Sequence, residues 1–423
     1  MFQHLAEKTH VVLGMKLHST VFSNILPSLS GFIRRYQRFL LPIGLVVAAR
    51  IVGSVLLFNI LRMDSTQSYW MTVNWDVTMQ NAVLKSLGSQ GVRWPFLYLG
   101  WDSAWYLTIT TRGYVFLDQS YAFFPGLPLF TQLVSLGLHD PALSLIVVSS
   151  IAGALWVPVF QLVAESYADA SRSLRATIFY VFFPYVFLFT TVAYSEGLFM
   201  LFTLLSWYFF RKRAILPSML FLAVAVLSRP PGLLLMLPIL AMIIHSKMTL
   251  GKSLSSRLSY LWLLLPFGSF FLWLYYSKIT IGSWFAIGTR TAWNGMPSFI
   301  NLVFQALQGK GFTSLYLETV YQWPYSVAWA LFLLAIPIML YLVFKLDKWL
   351  GLYSAVFLIP VLVSGGILSL PRFVSFIFPF WLALGLKVFK NDKSKYAVPV
   401  IAVLSIFVGM LLWLAFIQGE FIA

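Results

Sequence analysis

The segment LLPIGLVVAARIVGSVLLFNIL, residues 40–61, decides the fold of this chain. As a helix it is long enough to cross the ~30 Å hydrocarbon core of a bilayer, and Arg50 is its one charged residue. Outward from it, further apolar segments predict spans of the same kind. These are 142–164, 177–193, 196–210, 215–229, 231–245, 260–280, 324–344, 350–367, 372–389 and 396–418. We therefore predict an all-α, polytopic membrane protein with about eleven transmembrane helices.

The composition agrees with lipid as the solvent. Of the 423 residues, 60% are hydrophobic and 10% are charged, whereas a soluble domain has about 25% charged residues. The net charge of +16 comes from basic residues in short loops, where membrane orientation and anionic lipids explain them better than nucleic acid. The absence of cysteine excludes disulfides and thiolate nucleophiles, and the five histidines lack metal-ligand spacing.

Basic clusters alternate along the chain in a way that predicts its orientation. They are Arg34/Arg35/Arg38, Arg172/Arg175, Arg211/Lys212/Arg213, Lys247/Lys252/Arg257, Lys345/Lys348 and Lys387/Lys390/Lys393/Lys395. If all are cytoplasmic, the chain has a cytoplasmic amphipathic segment, 1–39, and a single transmembrane domain, 40–423. Its large outer loops would be 62–141, carrying juxtamembrane helices, and 281–323.

This count requires that segment 123–137 does not cross the membrane. The segment is short for a span and begins with two prolines in four residues, so we expect a juxtamembrane or re-entrant helix on the outer face. The alternative stays open at this point. In it, 123–137 crosses and the Arg172/Arg175 loop is external.

In the predicted topology, four ionisable residues meet at the outer membrane surface: Asp102, Glu196, Arg229 and Arg372. Each alone could be a helix cap or a snorkelling end residue. Their common placement favours a functional site, because charged groups near membrane depth are costly and mark pathways or sites. Arg50 is another such group, and the sequence does not indicate its partner.

The chemistry that fits two carboxylates, outer arginines and an aromatic loop is sugar transfer from a lipid-phosphate carrier. Arginine pairs bidentately with a phosphate at headgroup level, and a carboxylate can take the proton of the attacking hydroxyl. The alternative is a transporter or flippase of a lipid-linked sugar. That function is usually accompanied by internal repeats and charged sites at the midplane, and neither is evident in the sequence.

Three blocks of the sequence resemble the PIG-V family, the second mannosyltransferase of GPI-anchor synthesis, and its prokaryotic relatives. The first block is WDSAWYLTITTRGY followed by AFFPGLPL, with Trp101-Asp102, Arg112-Gly113-Tyr114 and Ala122 to Pro128. The second is AYSEGLF (193–199) and the third is LPRFVSFIFPFWLALG (370–385), with Phe373 where tyrosine is commoner. Their order along the chain also agrees with the family.

The resemblance implies a GT-C fold whose first outer loop carries the catalytic acidic residue, Asp102. It also implies an inverting transfer of mannose from a polyprenyl- or dolichyl-phosphate-mannose donor. A GPI precursor is only one option for the acceptor, beside a prokaryotic glycolipid or another glycan. We expect a prokaryotic cell membrane rather than the endoplasmic reticulum, with the active site on the outer or luminal face.

Roles for individual residues follow from both arguments. Asp102 is the expected general base, with Glu196 as a second acidic group. Donor phosphate is assigned to Arg372, Arg229 and Arg112, and the sugar or acceptor to Trp101, Trp105, Tyr114 and Tyr194. No metal ligand is assigned, and a divalent cation as cofactor is left open. The expected partners are the donor, the acceptor and membrane lipids, without nucleic acid.

Overall fold

Long apolar runs become helices in lipid because no water is present to satisfy exposed backbone groups. The computed structural model describes residues 36–61, 94–114, 118–245, 259–284, 325–363, 369–418 and 422, and these contain helices but no strand. The predicted all-α class is confirmed for this part of the chain. Most of the predicted segment 1–39 and of the loop 281–323, and residues 62–93 of the first outer loop, lie outside the described residues.

Fifteen α-helices are numbered here in chain order within the described ranges. They are α1 (Tyr36–Leu61), α2 (Asp102–Arg112), α3 (Gly126–Leu138), α4 (Pro141–Ala164), α5 (Ala170–Val181), α6 (Pro184–Phe189), α7 (Glu196–Arg211), α8 (Ile215–Ser228), α9 (Met236–His245), α10 (Leu265–Ile281), α11 (Tyr325–Leu346), α12 (Lys348–Val363), α13 (Leu370–Ser375), α14 (Phe378–Val388) and α15 (Ala397–Ile417). Short 3-10 turns at Pro230–Leu235, Ser259–Leu264 and Asp392–Tyr396 precede α9, α10 and α15.

Four helical segments in the described ranges are long and apolar enough to span a bilayer. They are Tyr36–Leu61, Pro141–Ala164, Tyr260–Ile281 and Lys393–Ile417. The count of about eleven spans is not confirmed, because other apolar helices are shorter and two predicted spans are broken. Segment 177–193 divides before Pro184, and segment 372–389 divides before Phe378-Pro379. Proline has no amide hydrogen and is favoured in the first turn of a helix, where Pro184 and Pro379 lie.

The outward faces of the long helices are apolar. On α1, the side chains of Ile51, Val52 and Val55 are more than half exposed, and α15 presents Val403 and Phe407 in the same way. A soluble monomer rarely exposes contiguous apolar faces of this kind, whereas lipid tails cover them. The chain is therefore an integral membrane protein.

Helix α7 lies at the centre, packed against α4 and α8. The backbones of α4 and α7 approach so closely that a Cβ atom on Gly197 would lie 2.8 Å from the Gly153 Cα. Arg50 reinforces this junction from α1, since its Nη2 donates to the Gly153 carbonyl at 3.0 Å and to Thr190 Oγ1 at 2.8 Å. The partners that the sequence did not indicate are thus a carbonyl and a hydroxyl.

Basic residues of several loops meet at one end of the helices. Arg38 Nη1 at the start of α1 lies 3.3 Å from Glu165 Oε2 at the end of α4. Arg211 Nη1 reaches Asp347 Oδ2, between α11 and α12, at 3.5 Å. Arg172 donates to the Leu386 carbonyl. The loops predicted to be cytoplasmic thus share one end wherever they are described, which agrees with the predicted alternation. We call this the basic end.

Helix α3 covers most of the segment predicted not to cross. Its 13 residues rise only ~20 Å, which is short of the hydrocarbon core. It begins at Gly126, where a Cβ atom would lie 2.8 Å from the carbonyl oxygen of Leu227 near the end of α8. The Pro-Gly pair therefore seats α3 directly beside Arg229. That 123–137 stays on one side of the membrane remains a prediction, and the length of α3 supports it.

Candidate active site

Asp102 is the first residue of α2 and is held by the backbone that precedes it. The Tyr98 carbonyl accepts from the Ala193 amide at 2.9 Å, and the Leu97 carbonyl accepts from Trp413 Nε1 at 2.5 Å. Between these anchors and the helix, Trp101 adopts φ 48 and ψ −113, which a non-glycine residue rarely occupies. Backbone strain of this kind costs about 1–3 kcal/mol and clusters at functional sites. Trp101, and not Asp102, occupies the N-cap position of α2, so capping does not explain the acid.

Glu196 is the first residue of α7 and is fully buried. A carboxylate is favoured at this position by the positive end of the helix dipole. Ser195 occupies the N-cap position but makes no cap bond, because its hydroxyl is used elsewhere. Tyr106 OH lies 2.7 Å from Ser195 Oγ, and Arg229 Nε donates to the same oxygen at 2.9 Å. The sequence Ser-Glu therefore serves a polar cluster and not a helix cap.

Arg229 is placed by the two prolines that follow it. A residue before proline is pushed from helical to extended geometry, and Arg229 has φ −156 and ψ 139 at the end of α8. Its guanidinium then points back toward α7, where Nη2 lies 2.7 Å from Glu196 Oε1. A snorkelling residue would reach toward solvent, whereas this side chain is 14% exposed and ion-paired.

Arg372, on the short helix α13, joins the two carboxylates. Its Nη2 donates to Asp102 Oδ2 at 2.6 Å, and its Nε donates to Glu196 Oε1 at 2.5 Å. The rings of Phe189 and Tyr194 lie 4.8 and 4.6 Å from its Cζ atom, as cation–π partners. Two acidic and two basic side chains from α2, α7, α8 and α13 thus form one ion-pair network, which we call the Asp102 cluster. Its members are Asp102, Glu196, Arg229 and Arg372.

Two tyrosines complete the hydrogen bonding around the Asp102 cluster. Tyr194 OH accepts from the Asp102 amide at 3.2 Å, and Tyr106, one turn after Asp102 on α2, meets Ser195. Burial raises the pKa of the Tyr106 phenol to about 12, and burial raises that of Tyr194 well above its usual value. Both phenols therefore stay protonated and act as neutral hydrogen-bonding groups at physiological pH.

Exposure within the Asp102 cluster is uneven. The Asp102 side chain is 20% exposed, whereas that of Glu196 is completely buried. Glu196 Oε1 accepts from both guanidiniums, while Oε2 is buried without a hydrogen-bond partner among the described residues. An unsatisfied buried carboxylate oxygen is costly and suggests a role beyond stability. Asp102 is thus the more exposed of the two acids in the cluster.

The structure brings some of the predicted site residues together and leaves others apart. Tyr194 and Trp101 flank Asp102. Trp105 stacks on Phe123 with centroids 5.4 Å apart. Arg112 is exposed at the far end of α2, ten residues after Asp102 and hence ~15 Å along the helix.

Tyr114 lies in a separate aromatic group with Tyr121 and Trp273, which ties the outer loop to α10. Its hydroxyl donates to the Phe123 carbonyl at 2.8 Å. These contacts describe a packing residue of the outer loop, and its role toward a sugar stays a prediction.

Sequence reasoning missed Tyr106, Ser195 and Phe189 as members of the site. Tyr106 follows Asp102 by four residues, so the helical repeat places both on one face and could have indicated it. Ser195 precedes Glu196 directly but was read as a cap. Within the described part of the chain, no three His, Asp or Glu side chains are grouped as metal ligands would be.

Comparison with known protein families gives a match to part of the chain. Residues 44–249 match the family model described as Mannosyltransferase (PIG-V), just under half of the chain. The matched region includes Asp102, Glu196 and Arg229 and ends before Arg372. None of the curated proteins compared matches the chain.

Among solved structures, the crystal structure of the Archaeoglobus fulgidus oligosaccharyltransferase tethered with an acceptor peptide is similar at 14% identity and a TM-score of 0.41. The alignment covers 92% of this chain and 56% of that one, so this chain spans little more than half of that protein's length. The family match agrees with the resemblance drawn from the sequence blocks, since residues 44–249 of this chain are similar to the PIG-V mannosyltransferases.

Proposed function

We propose that this protein transfers mannose from a polyprenyl- or dolichyl-phosphate-mannose donor to a glycolipid or glycan acceptor at the outer or luminal membrane face, with inversion. The observation that carries the proposal is the contact of Asp102 with Arg372. It sets a partly exposed carboxylate beside a buried guanidinium at the end of the helices opposite the basic end. A base and a phosphate ligand are the two groups that this transfer needs.

In the proposed reaction, Asp102 takes the proton of an acceptor hydroxyl as its oxygen attacks the anomeric carbon. A bond forms between that carbon and the acceptor oxygen, and the bond to the phosphate oxygen breaks. The electron pair leaves with the lipid phosphate, which is a good anionic leaving group. Arg372 pairs with the phosphate, and Arg229 holds Glu196, so that Glu196 in turn orients Arg372.

The membrane face follows from the distribution of charge. Basic loops favour the cytoplasm, so the Asp102 cluster would lie on the outer or luminal side. The chain has no cysteine, which permits a direct test. A cysteine replacing His139, between α3 and α4, should react with an impermeant reagent from outside, and one replacing Lys212, after α7, only from the cytoplasm. The reverse pattern would contradict the proposed orientation.

Turnover tests the function itself. Purified protein in a neutral detergent is given polyprenyl-phosphate-mannose and a panel of glycolipid acceptors, and the anomeric configuration of the product is determined by NMR. We expect an α-linked mannoside from the β-linked donor. If no acceptor is mannosylated while proteoliposomes move lipid-linked sugar across the bilayer, the flippase alternative replaces this proposal.

A further inference from the structure

The guanidinium of Arg372 is surrounded on its faces and along its polar edge. Phe189 and Tyr194 lie within 4.8 Å of Cζ as cation–π partners. Along the edge, Nε is bound by Glu196 and Nη2 by Asp102, at 2.5 and 2.6 Å. Arg372 is 5% exposed as a whole. A phosphate that pairs bidentately with the Nε–Nη2 edge must therefore displace a carboxylate that already lies there.

The charges of the Asp102 cluster cancel, since it contains two carboxylates and two guanidiniums. A sugar phosphodiester adds one negative charge. At a buried site that charge is unfavourable unless a guanidinium is released for it. The phosphate and one carboxylate therefore compete for a single guanidinium, and only one of these two anions can be bound to it at a time.

The two carboxylates differ in how firmly they are held. Glu196 is fully buried at the start of α7, and its Oε1 accepts from both arginines. Asp102 has one guanidinium partner, and its side chain is 20% exposed. Removing Glu196 would leave Arg229 without its carboxylate partner in the cluster, whereas Asp102 can leave Arg372 toward the exposed side of the site. Asp102 is therefore the carboxylate that leaves Arg372 when a phosphate binds.

We propose that Asp102 and the donor phosphate compete for Arg372, so that Asp102 is held by Arg372 until the donor displaces it. This inference rests on the proposed function. While Arg372 holds Asp102, the Oδ2 atom of Asp102 is engaged by Nη2, and the donor phosphate frees this oxygen for the proton of an acceptor hydroxyl. Donor binding thus releases the base, and the donor binds before the acceptor. After transfer, Asp102 carries the proton of the acceptor hydroxyl. Once it has released this proton to water, the carboxylate returns to Arg372 and displaces the lipid phosphate product.

The test is a double-mutant cycle on phosphate binding, without turnover. The probe is geranyl phosphate in an uncharged detergent, with Kd measured by calorimetry for wild type, Asp102→Asn, Arg372→Gln and the double variant. Glutamine keeps a hydrogen-bond donor for Glu196, which limits unfolding, and thermal melting confirms the fold of each variant. Asp102→Ala repeats the first arm without the amide. Glu165→Gln, at the basic end, is the matched control carboxylate.

If Asp102 and phosphate compete, Asp102→Asn should tighten the binding of geranyl phosphate. Loss of a residue that binds phosphate would weaken it instead. Releasing a charged hydrogen bond should lower Kd roughly 10- to 150-fold. Glu165→Gln should leave Kd unchanged. In the Arg372→Gln background, Asp102→Asn should have no effect, because the cation for which the anions compete is gone.

Three results would overturn the inference. Unchanged or weaker binding by Asp102→Asn and Asp102→Ala would show that Asp102 does not compete. Equal tightening with and without Arg372 would indicate long-range repulsion only. Equally tight binding of lysophosphatidylglycerol would assign the site to membrane phospholipid. Failure of mannose transfer with an intact cycle would instead contradict the proposed function, so the two failures are distinguishable.

Discussion

The two ends of the helices use charge in opposite ways. In the Asp102 cluster, acids and bases are equal in number, buried and directly paired. At the basic end cations are in excess, Arg211 is 35% exposed, and Arg172 and Arg175 donate to backbone carbonyls of Leu386 and Phe389. Buried pairs carry a large desolvation cost, whereas exposed cations cost little. The comparison separates charge that forms a site from charge that orients the chain.

The largest effect that separates the two ends is expected from neutralising the proposed base. Asp102→Asn keeps the size of the side chain and removes its basicity. Transfer should fall ~10²–10⁴-fold, the usual contribution of a positioned general base. Single-turnover assays with saturating donor measure the chemical step. Transfer within a few-fold of wild type would move the base elsewhere, with Glu196 to be tested next.

The next largest effect is expected at Arg372. Arg372→Ala should raise the donor KM roughly 10- to 150-fold, because a charge-assisted bond to phosphate of ~1.5–3 kcal/mol is lost. Arg372→Lys should restore only part of it, since lysine is a point charge without the planar fork. The acceptor KM should change much less. If the donor KM is unchanged in both variants, Arg229 becomes the residue to which donor-phosphate binding is assigned.

A smaller effect is expected one contact away from the ion pairs. Tyr106→Phe removes the hydroxyl that meets Ser195 at 2.7 Å and leaves the ring in place. A net hydrogen bond of ~0.5–1.5 kcal/mol corresponds to a roughly 2- to 12-fold loss in kcat/KM. With a pKa of about 12, the Tyr106 phenol should add no pH dependence below pH ~10. An alkaline limb that disappears in Tyr106→Phe would contradict this expectation.

At the basic end, the same kind of change should leave transfer untouched. Asp347 accepts from Tyr167 OH at 2.9 Å and from the Trp349 amide, so it caps α12. Burial, with the Asp347 carboxylate, raises the pKa of the Tyr167 phenol, which stays a donor. Asp347→Ala should cost about 0.5–2 kcal/mol of stability through the lost cap, with kcat and both KM values unchanged. A large loss of transfer in well-folded Asp347→Ala would show that charged residues at the basic end also take part in the reaction.

Hydropathy predicted the helices well where lipid decides them and poorly where proline does. Segment 142–164 matches α4 closely, because a long apolar run has one low-energy form in a membrane, and the helix continues through Pro158. Segment 177–193 was predicted as one span, yet Pro184 divides it into α5 and α6. Pro184 was visible in the sequence, and its first-turn preference could have predicted the break.

For the site, topology alone placed Asp102, Glu196, Arg229 and Arg372 at one membrane surface, and the structure brings these four into contact. Topology could not predict which carboxylate contacts which guanidinium, because that depends on side-chain geometry across separate helices. Arg112 shares a sequence block with Asp102 but not its location, since a helix carries it ~15 Å away. Closeness in sequence therefore does not predict closeness to the site when a helix leads away from it.

The Asp102–Arg372 pair also bears on how the protein is made. Arg372 lies 270 residues after Asp102 and 176 after Glu196. At ~5–20 residues per second, ribosomes take on the order of ten to fifty seconds to add the second partner after the first. During that interval the arginine that pairs with Asp102 in the folded structure has not yet been made. An incomplete nascent chain would thus carry an exposed acidic group at membrane depth, a feature by which insertion machinery or proteases could tell it from the finished protein.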